Sequence, residues 1–320
     1  MALHEEDTKF VPITHAEWLV ASLPFAPAAI NDANLIVGQQ NNHAVQFQNG
    51  TLQVLPFIVD PGDSSAAVDV SSLGAIVGKT DNIKQQPAIV WFPLPLALPE
   101  APVGVFVPAA INKNLNVVGS SPDAQVAFKW HDPFGYQGLV APGSLRNRPT
   151  FATDINDNGV AVGFAEELAG ATPVLWTSDN IPHVPWRAAS ARSHPHINNH
   201  GDVALLDGSQ TVTVLHLNGS IESFPSIPDP LSVDGISDEG RIIGTSRVNG
   251  MTKGWTFYKN NLVWLNAPGN DAGVFVHPTG VNQCGNIVGL VLNQNSTFIR
   301  GLVYSKQLPF RCDGWGLVNK

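Results

Sequence analysis

The nine residues from Ile155 to Gly163, INDNGVAVG, decide how this chain folds. An apolar residue is followed by Asn, a short polar turn ending in Gly, and a β-branched run closed by a second Gly. Asn and Gly enter left-handed backbone at little steric cost, so Asn-x-x-Gly reads as a tight turn. The run after it reads as the returning strand of a hairpin.

Outward from this stretch the same unit recurs. It appears as INDANLIVG from Ile30, VSSLGAIVG from Val70 and INKNLNVVG from Ile111, then as INNHGDVAL from Ile197, ISDEGRIIG from Ile236 and VNQCGNIVG from Val281. With the Ile155 copy in place, successive starts lie 40, 41, 44, 42, 39 and 45 residues apart. Chance does not place seven ungapped copies so evenly, and a fixed period of this length marks a repeat architecture.

Each unit holds two further segments. A third strand carries an aromatic, at Phe47, Trp91, Trp130, Trp176, Trp255 and Tyr304, whereas unit five offers Val212, Val214 and His216. A fourth closes on proline, as in Leu52 to Pro56, Leu94 to Pro99, Ile221 to Pro225 and Leu262 to Pro268. Four strands in about 42 residues is the size of a propeller blade. The sequence therefore predicts an all-β, seven-bladed β-propeller of four-stranded antiparallel blades. Unit seven has no convincing fourth strand of its own, while Trp18 to Pro24 (WLVASLP) reads as a fourth strand without its first three. That N-terminal strand is expected to complete the last blade, with Gln307 to Pro309 a weaker rival. The domain plan is an arm over 1–17, one propeller over 18–310 and a tail over 311–320.

INDNG followed by VAVG and an aromatic strand such as PVLW resembles the HAF-type extracellular repeats of bacterial proteins, from about Trp18 to Tyr304. The His-Ala-Phe signature survives in part, as His43-Ala44-Val45 and Ala127-Phe128-Lys129-Trp130. The resemblance implies a propeller and frequent export. It implies no single activity.

Composition excludes several functions. Charged residues are 13% of the chain, about half the usual share. A net charge of −9 on 17 Lys and Arg, with no basic run, makes nucleic acid a poor partner. The most apolar stretch, Ile89 to Ile111, contains Pro93, Pro95, Pro99, Pro102 and Pro108, which would break a membrane-spanning helix, so no membrane insertion is expected. The first residues have neither a basic nor an apolar leader region. The expected location is secreted or extracytoplasmic, after removal of a leader, with the cytoplasm as the alternative. Cys284 and Cys312 make no metal signature, and one disulfide between them would pin the tail to the last blade. Sequons at Asn49, Asn218 and Asn295 permit glycosylation, although the two Asn-Gly pairs among them are explained by hairpin turns.

The repeat also serves as an internal control, because scaffold demands are common to all blades. The segment leading into each innermost strand is apolar in blade one (Phe25 to Ala29) and blade three (Phe106 to Ala110). Blade four has Arg146, Arg148, Thr150 and Asp154, and blade five has Arg192, Ser193, His194 and His196. Blade seven adds His277, and blade two Asp63 and Asp69. Three arginines and three histidines in these segments predict a positive pocket on an acidic molecule. Arg148 and Arg192, with His196, Asp69 and Asp154, are the candidate ligand-binding residues, since arginine's fork suits a carboxylate. His194 and His277 are the candidate catalytic residues, as general bases beside those arginines. Three imidazoles alone are weak grounds for a metal, and none is assigned. Asp154-Ile155-Asn156-Asp157-Asn158-Gly159 matches the start of a calcium loop, but the Asp154 slot holds Ala29, Ala110, His196, Gly235 and Gly280 elsewhere. The aromatic stripe recurs once per blade, so packing between blades accounts for it better than sugar stacking. Phe134, Tyr136, Trp186 and Trp315 do not recur and are better suited to a surface role.

No nucleophile elbow, phosphate loop or paired-carboxylate motif occurs, and no cofactor is expected. The leading expectation is a monomeric binding or interaction protein that presents a channel-face pocket to an anionic carbohydrate, peptide or protein. The alternative is a lyase or hydrolase acting on an acidic polysaccharide. A third reading is a secreted bacterial effector.

Overall fold

The computed structural model describes residues 18–56, 63–80, 88–167, 170–184, 194–268, 273–293 and 295–305. It shows the seven blades the repeat predicts. Seven four-stranded antiparallel sheets follow one another along the chain, each with its strands in sequence order. The last is the exception. Val274–Val281, Ile287–Asn293 and Phe298–Ser305 are completed by the N-terminal strand Leu19–Leu23. That strand runs antiparallel to the third, from Leu19 opposite Ser305 to Leu23 opposite Gly301. Trp18, beside it, meets Tyr304 edge to face, and the Arg241 guanidinium of blade six lies over both Trp18 and Tyr258. The arm, the tail and the rival segment Gln307 to Pro309 lie outside the described residues. So does Cys312, whereas Cys284 is disulfide-bonded.

Apolar side chains pack between blades rather than inside them. Ala110, Val118, Ala127 and Leu139 of blade three share one buried cluster with Ile155, Val174 and Trp176 of blade four. The aromatic stripe belongs to this packing and adds hydrogen bonds across it. The indoles of Trp91 and Trp176 donate to the carbonyls of Pro56 and Val140 in the preceding blade, and the Tyr304 hydroxyl donates to that of Asn266. Strand register corrects one assignment. Phe47, Trp91, Trp130, Trp176 and Tyr304 all lie opposite the first residue of the returning strand, and in blade six that partner is Phe257, not Trp255. Trp255 lies opposite Gly244 and fills the space above it. In blade five the equivalent residue is Leu215, opposite Val203.

The repeat's Asn does more than close a turn. Asn156 Oδ1 accepts from the backbone N–H of Asn158 and of Val160, which fixes the turn of blade four. Its Nδ2 donates to the carbonyl of Asn198, the same position in blade five. Asn31, Asn112, Asn198 and Asn282 likewise donate to the carbonyls of Ser71, Asn156, Ser237 and Asn31. The last of these bonds joins blade seven to blade one. Ser71 and Ser237 keep the turn acceptor but have no amide to pass on. All seven residues are buried around the channel axis.

The closing Gly of the repeat sets how near the inner strand can come. A Cβ at Gly163 would lie 1.9 Å from the carbonyl oxygen of Phe151 on that strand. Blade five has Leu205 in this place, and its inner strand is cut to His196–Ile197. In the other six blades the inner strand carries a β-bulge near its end, between residues such as Ala152 and Asp154 or Val233 and Gly235. A bulge inserts one residue and turns neighbouring side chains to a new direction.

Asn156→Ala removes the turn acceptor and the inter-blade donor together and leaves buried backbone groups unpaired. It should cost about 2–4 kcal/mol in urea unfolding. Asn156→Ser, which copies Ser71 and Ser237, should cost about 1 kcal/mol because only the inter-blade bond is lost.

Candidate binding site in the central channel

The bulges of six blades, and the shortened inner strand of blade five, place the residues that depart from the repeat against the channel. Thr153 and Asp154 of blade four, His196 of blade five, Asp234 of blade six, Thr279 of blade seven and Asp69 of blade two line a cavity of about 180 Å³. Ala28 and Ala29 of blade one and Ala109 and Ala110 of blade three line the same cavity. The volume suits a side chain or a single sugar residue and is too small for a drug-sized molecule.

Asp154 is held at its base by backbone, its oxygens accepting from the N–H of Ile155 and of Ile197 in the next blade. His196 Nδ1 lies 3.5 Å from Asp154 Oδ2, with a quarter of its side chain open to the channel. This accounts for the resemblance to a calcium loop: backbone amides and an imidazole already use the Asp154 oxygens, and Asn156 spends its oxygen on the turn. Asp69 accepts from the N–H of Ile111 in blade three. Asp234, held by the Ser232 hydroxyl, lies 3.8 Å from His277 Nε2. His194 stands at the rim, exposed, its ring stacked on Phe164, which in turn stacks on Phe151.

These groups set one another's protonation. Burial pushes the Asp69 carboxyl up to about 6; the Ile111 amide opposes the shift and the charge of Asp154 adds to it. Burial likewise raises Asp234, against the pull of His277 and His196. For His196 burial works downward, but the hydrogen bond and charge of Asp154, with Asp234 and Asp69 beyond, outweigh it and raise its pKa. Desolvation of His194, and then the charge of His196, lower its pKa against the opposing effect of Asp234. The two imidazoles, two residues apart, are thus pushed in opposite directions, His196 toward its cationic form and His194 toward its neutral form.

The structure brings together His194, His196, His277, Asp69 and Asp154 around the channel. Arg146 and Arg148 are exposed in the loop entering blade four, after the short 3-10 turn Gly143–Leu145. Arg192, Ser193 and Trp186 lie outside the described residues. Thr150 is scaffold, its buried hydroxyl bonded to Leu139 and Ala127 of blade three. Tyr136 is packed on Phe106 and Phe128, whereas Phe134 is exposed. Among the described residues three carboxylates and one imidazole line the cavity, and Arg146 and Arg148 do not; Arg192 lies outside those residues. Asp234 was missed because comparison of the blades ran along the Asp154 slot, where blade six has Gly235. One position earlier it is the lone carboxylate among Ala28, Val68, Ala109, Thr153, Pro195 and Thr279, a signal that could have found it.

Fold and site define a seven-bladed β-propeller with a polar, asymmetric channel. No family model and no curated relative matches the chain. Among solved structures it is similar to virginiamycin B lyase from Staphylococcus aureus, at 12% identity and TM-score 0.62, over 90% of this chain and 99% of that one. It is also similar to YCF48 bound to D1 peptide (12% identity, TM-score 0.55, 93% and 99% covered). A third similar structure is the Swd1 propeller domain of Myceliophteria thermophila (8% identity, TM-score 0.57, 90% and 99% covered). At these identities the likeness is one of fold. Among the described residues no helix is long and apolar enough to cross a membrane.

An aspartate whose folded pKa exceeds its ordinary 3.8 holds its proton longer in the folded state, so its contribution to stability falls as pH rises from about 4 to 6. Asp69→Asn, which keeps an acceptor for Ile111, should flatten that part of the stability profile and make the protein more stable at pH 7. Asp154→Asn should lower the His196 pKa by removing its main partner. Unfolding midpoints against pH and imidazole NMR titration measure the two effects.

Proposed function

We propose that this protein is a binding propeller whose channel-face pocket takes a polar ligand, with the ligand's anionic part at the rim. One observation carries the reading: charged side chains converge in slots where other blades have Ala or Gly, so the scaffold does not require them. The cavity carboxylates repel an anion and favour hydroxyl, amide or ammonium donors. The exposed Arg148 and His194 stand on the face where the chain enters the inner strands and suit a carboxylate. An acidic sugar or a peptide therefore enters with its donors first. The repeat residues further support membership of the HAF-type family and, with it, export.

The His277–Asp234 couple favours a second reading, a lyase or hydrolase acting on an acidic polysaccharide. An imidazole beside a carboxylate is the arrangement a general base needs. His194 at the rim, its pKa lowered by burial, would be its partner.

Calorimetric titration with acidic oligosaccharides and short peptides separates these readings. For a ligand seated in the channel, Asp154→Asn and Asp234→Asn should each weaken binding tenfold or more, and Arg148→Ala should weaken acidic ligands while sparing neutral analogues. Binding indifferent to all three changes would sink the proposal. Turnover of an acidic polysaccharide that disappears in His277→Ala would favour the enzyme.

A further inference from the structure

The opposite face of the ring carries a second departure from the repeat. In a four-stranded meander the turn between strands one and two and the turn between strands three and four lie at the same end. In blade five Leu217 of the second turn packs against Gly201 of the first, and in blade four Ser178 faces Gly159. At this end the strand three to four turns of four consecutive blades expose large apolar side chains. Leu94 is 75% exposed in blade two, Phe134 72% in blade three, Ile181 55% in blade four and Leu217 76% in blade five. Tight turns favour Asn, Gly and Asp, and blades one and six follow that rule with Asn49-Gly50 and Lys259-Asn260. The hairpins themselves therefore do not call for these apolar residues.

At the centre of the same face the channel opens through a cavity of about 170 Å³, whose mouth carries Asp32, Asp157 and Asp238 beside the ring of Asn and Ser. Each of these carboxylates accepts from the backbone N–H of the blade before it: Gln283 for Asp32, Lys113 for Asp157 and Asn199 for Asp238. Burial raises the Asp32 pKa against the opposing Gln283 amide, and the charges of Asp238 and Asp157 add to the rise. A cation at this mouth would relieve that repulsion. Lys113, 4.0 Å from Asp157, is the ammonium already near it.

We propose that this face is a second binding surface, for a polypeptide segment that sets a Lys or Arg side chain into the Asp32–Asp157–Asp238 mouth and lays apolar residues on Leu94, Phe134, Ile181 and Leu217. Charge complementarity selects the partner: an apolar arc around a carboxylate centre, on a chain of net charge −9, suits a basic and apolar peptide and disfavours an acidic one. The apolar arc lies at the other end of the channel from Arg148 and His194, and the cavity at its centre adjoins the channel-face pocket, sharing Asp69 and Asp154 with it.

A library of random 12-residue peptides displayed on phage and panned on the full-length protein tests this. Wild type should enrich sequences that combine Lys or Arg with Leu, Phe or Ile. The best peptide should bind at least tenfold more weakly to a variant carrying Leu94→Ser, Phe134→Ser, Ile181→Ser and Leu217→Ser. Asp32→Asn with Asp238→Asn should weaken it and reduce its salt dependence. Because the four apolar side chains are exposed, the quadruple variant should keep the wild-type melting temperature, and any drop in binding then reports the surface itself. Enrichment of acidic sequences, or a best peptide bound equally by wild type and the quadruple variant, would overturn the proposal.

Discussion

Five side-chain amides around the channel axis hold the ring together. Each sits in the first turn of a blade, closes that turn with its oxygen and donates its N–H to the matching carbonyl of the next blade. One residue type thus does two jobs, because a carboxamide has an acceptor and a donor on one short stem. Each bond contributes only about 1 kcal/mol net, but each buried partner left alone costs more. The bond from Asn282 to Asn31 spans 251 residues of chain and works with the N-terminal strand to join the two ends. Where Ser replaces Asn, at Ser71 and Ser237, the turn survives and the link to the next blade is absent.

Once the turns are tied in a ring, the bulged inner strands have little freedom, and what they carry faces the axis. Seven equivalent slots meet there, so one changed residue is enough to mark a direction around the channel. Blades one and three present alanines, blades two, four and six present carboxylates, and blade five presents an imidazole. The same logic runs at the other face, where apolar tips occupy four successive turns. The body is built by sameness and the two surfaces by exceptions to it.

Much of the fold was legible because its signals are local. Asn-x-x-Gly, the Val/Ile run and the aromatic strand each declare a hairpin or a strand within a few residues, and the surplus strand Trp18 to Pro24 declared the closure. The site was legible only in outline. Comparing blades found Asp69, Asp154, His194, His196 and His277, whereas Asp234 escaped because a bulge shifts which neighbour faces the channel. Trp255 misled for a similar reason: the aromatic of blade six that matches the stripe is Phe257, two residues on, and only strand pairing shows it. Arg146 and Arg148, near an inner strand in sequence, stand in an exposed loop in space and are not part of the described cavity lining.

The sequence by itself determined the number of blades, the antiparallel hairpin at the heart of each and the sharing of the last blade between the two chain ends. Those properties follow from turn chemistry and from counting strands, which no distant contact alters. Tertiary structure alone decided that Asn156 and its equivalents bond from blade to blade, that Asp234 joins the channel, and that three carboxylates meet in its described lining. Each of these depends on which residues ring closure brings within a few ångströms, and a bulge of one residue, silent in a repeat pattern, is enough to change the answer.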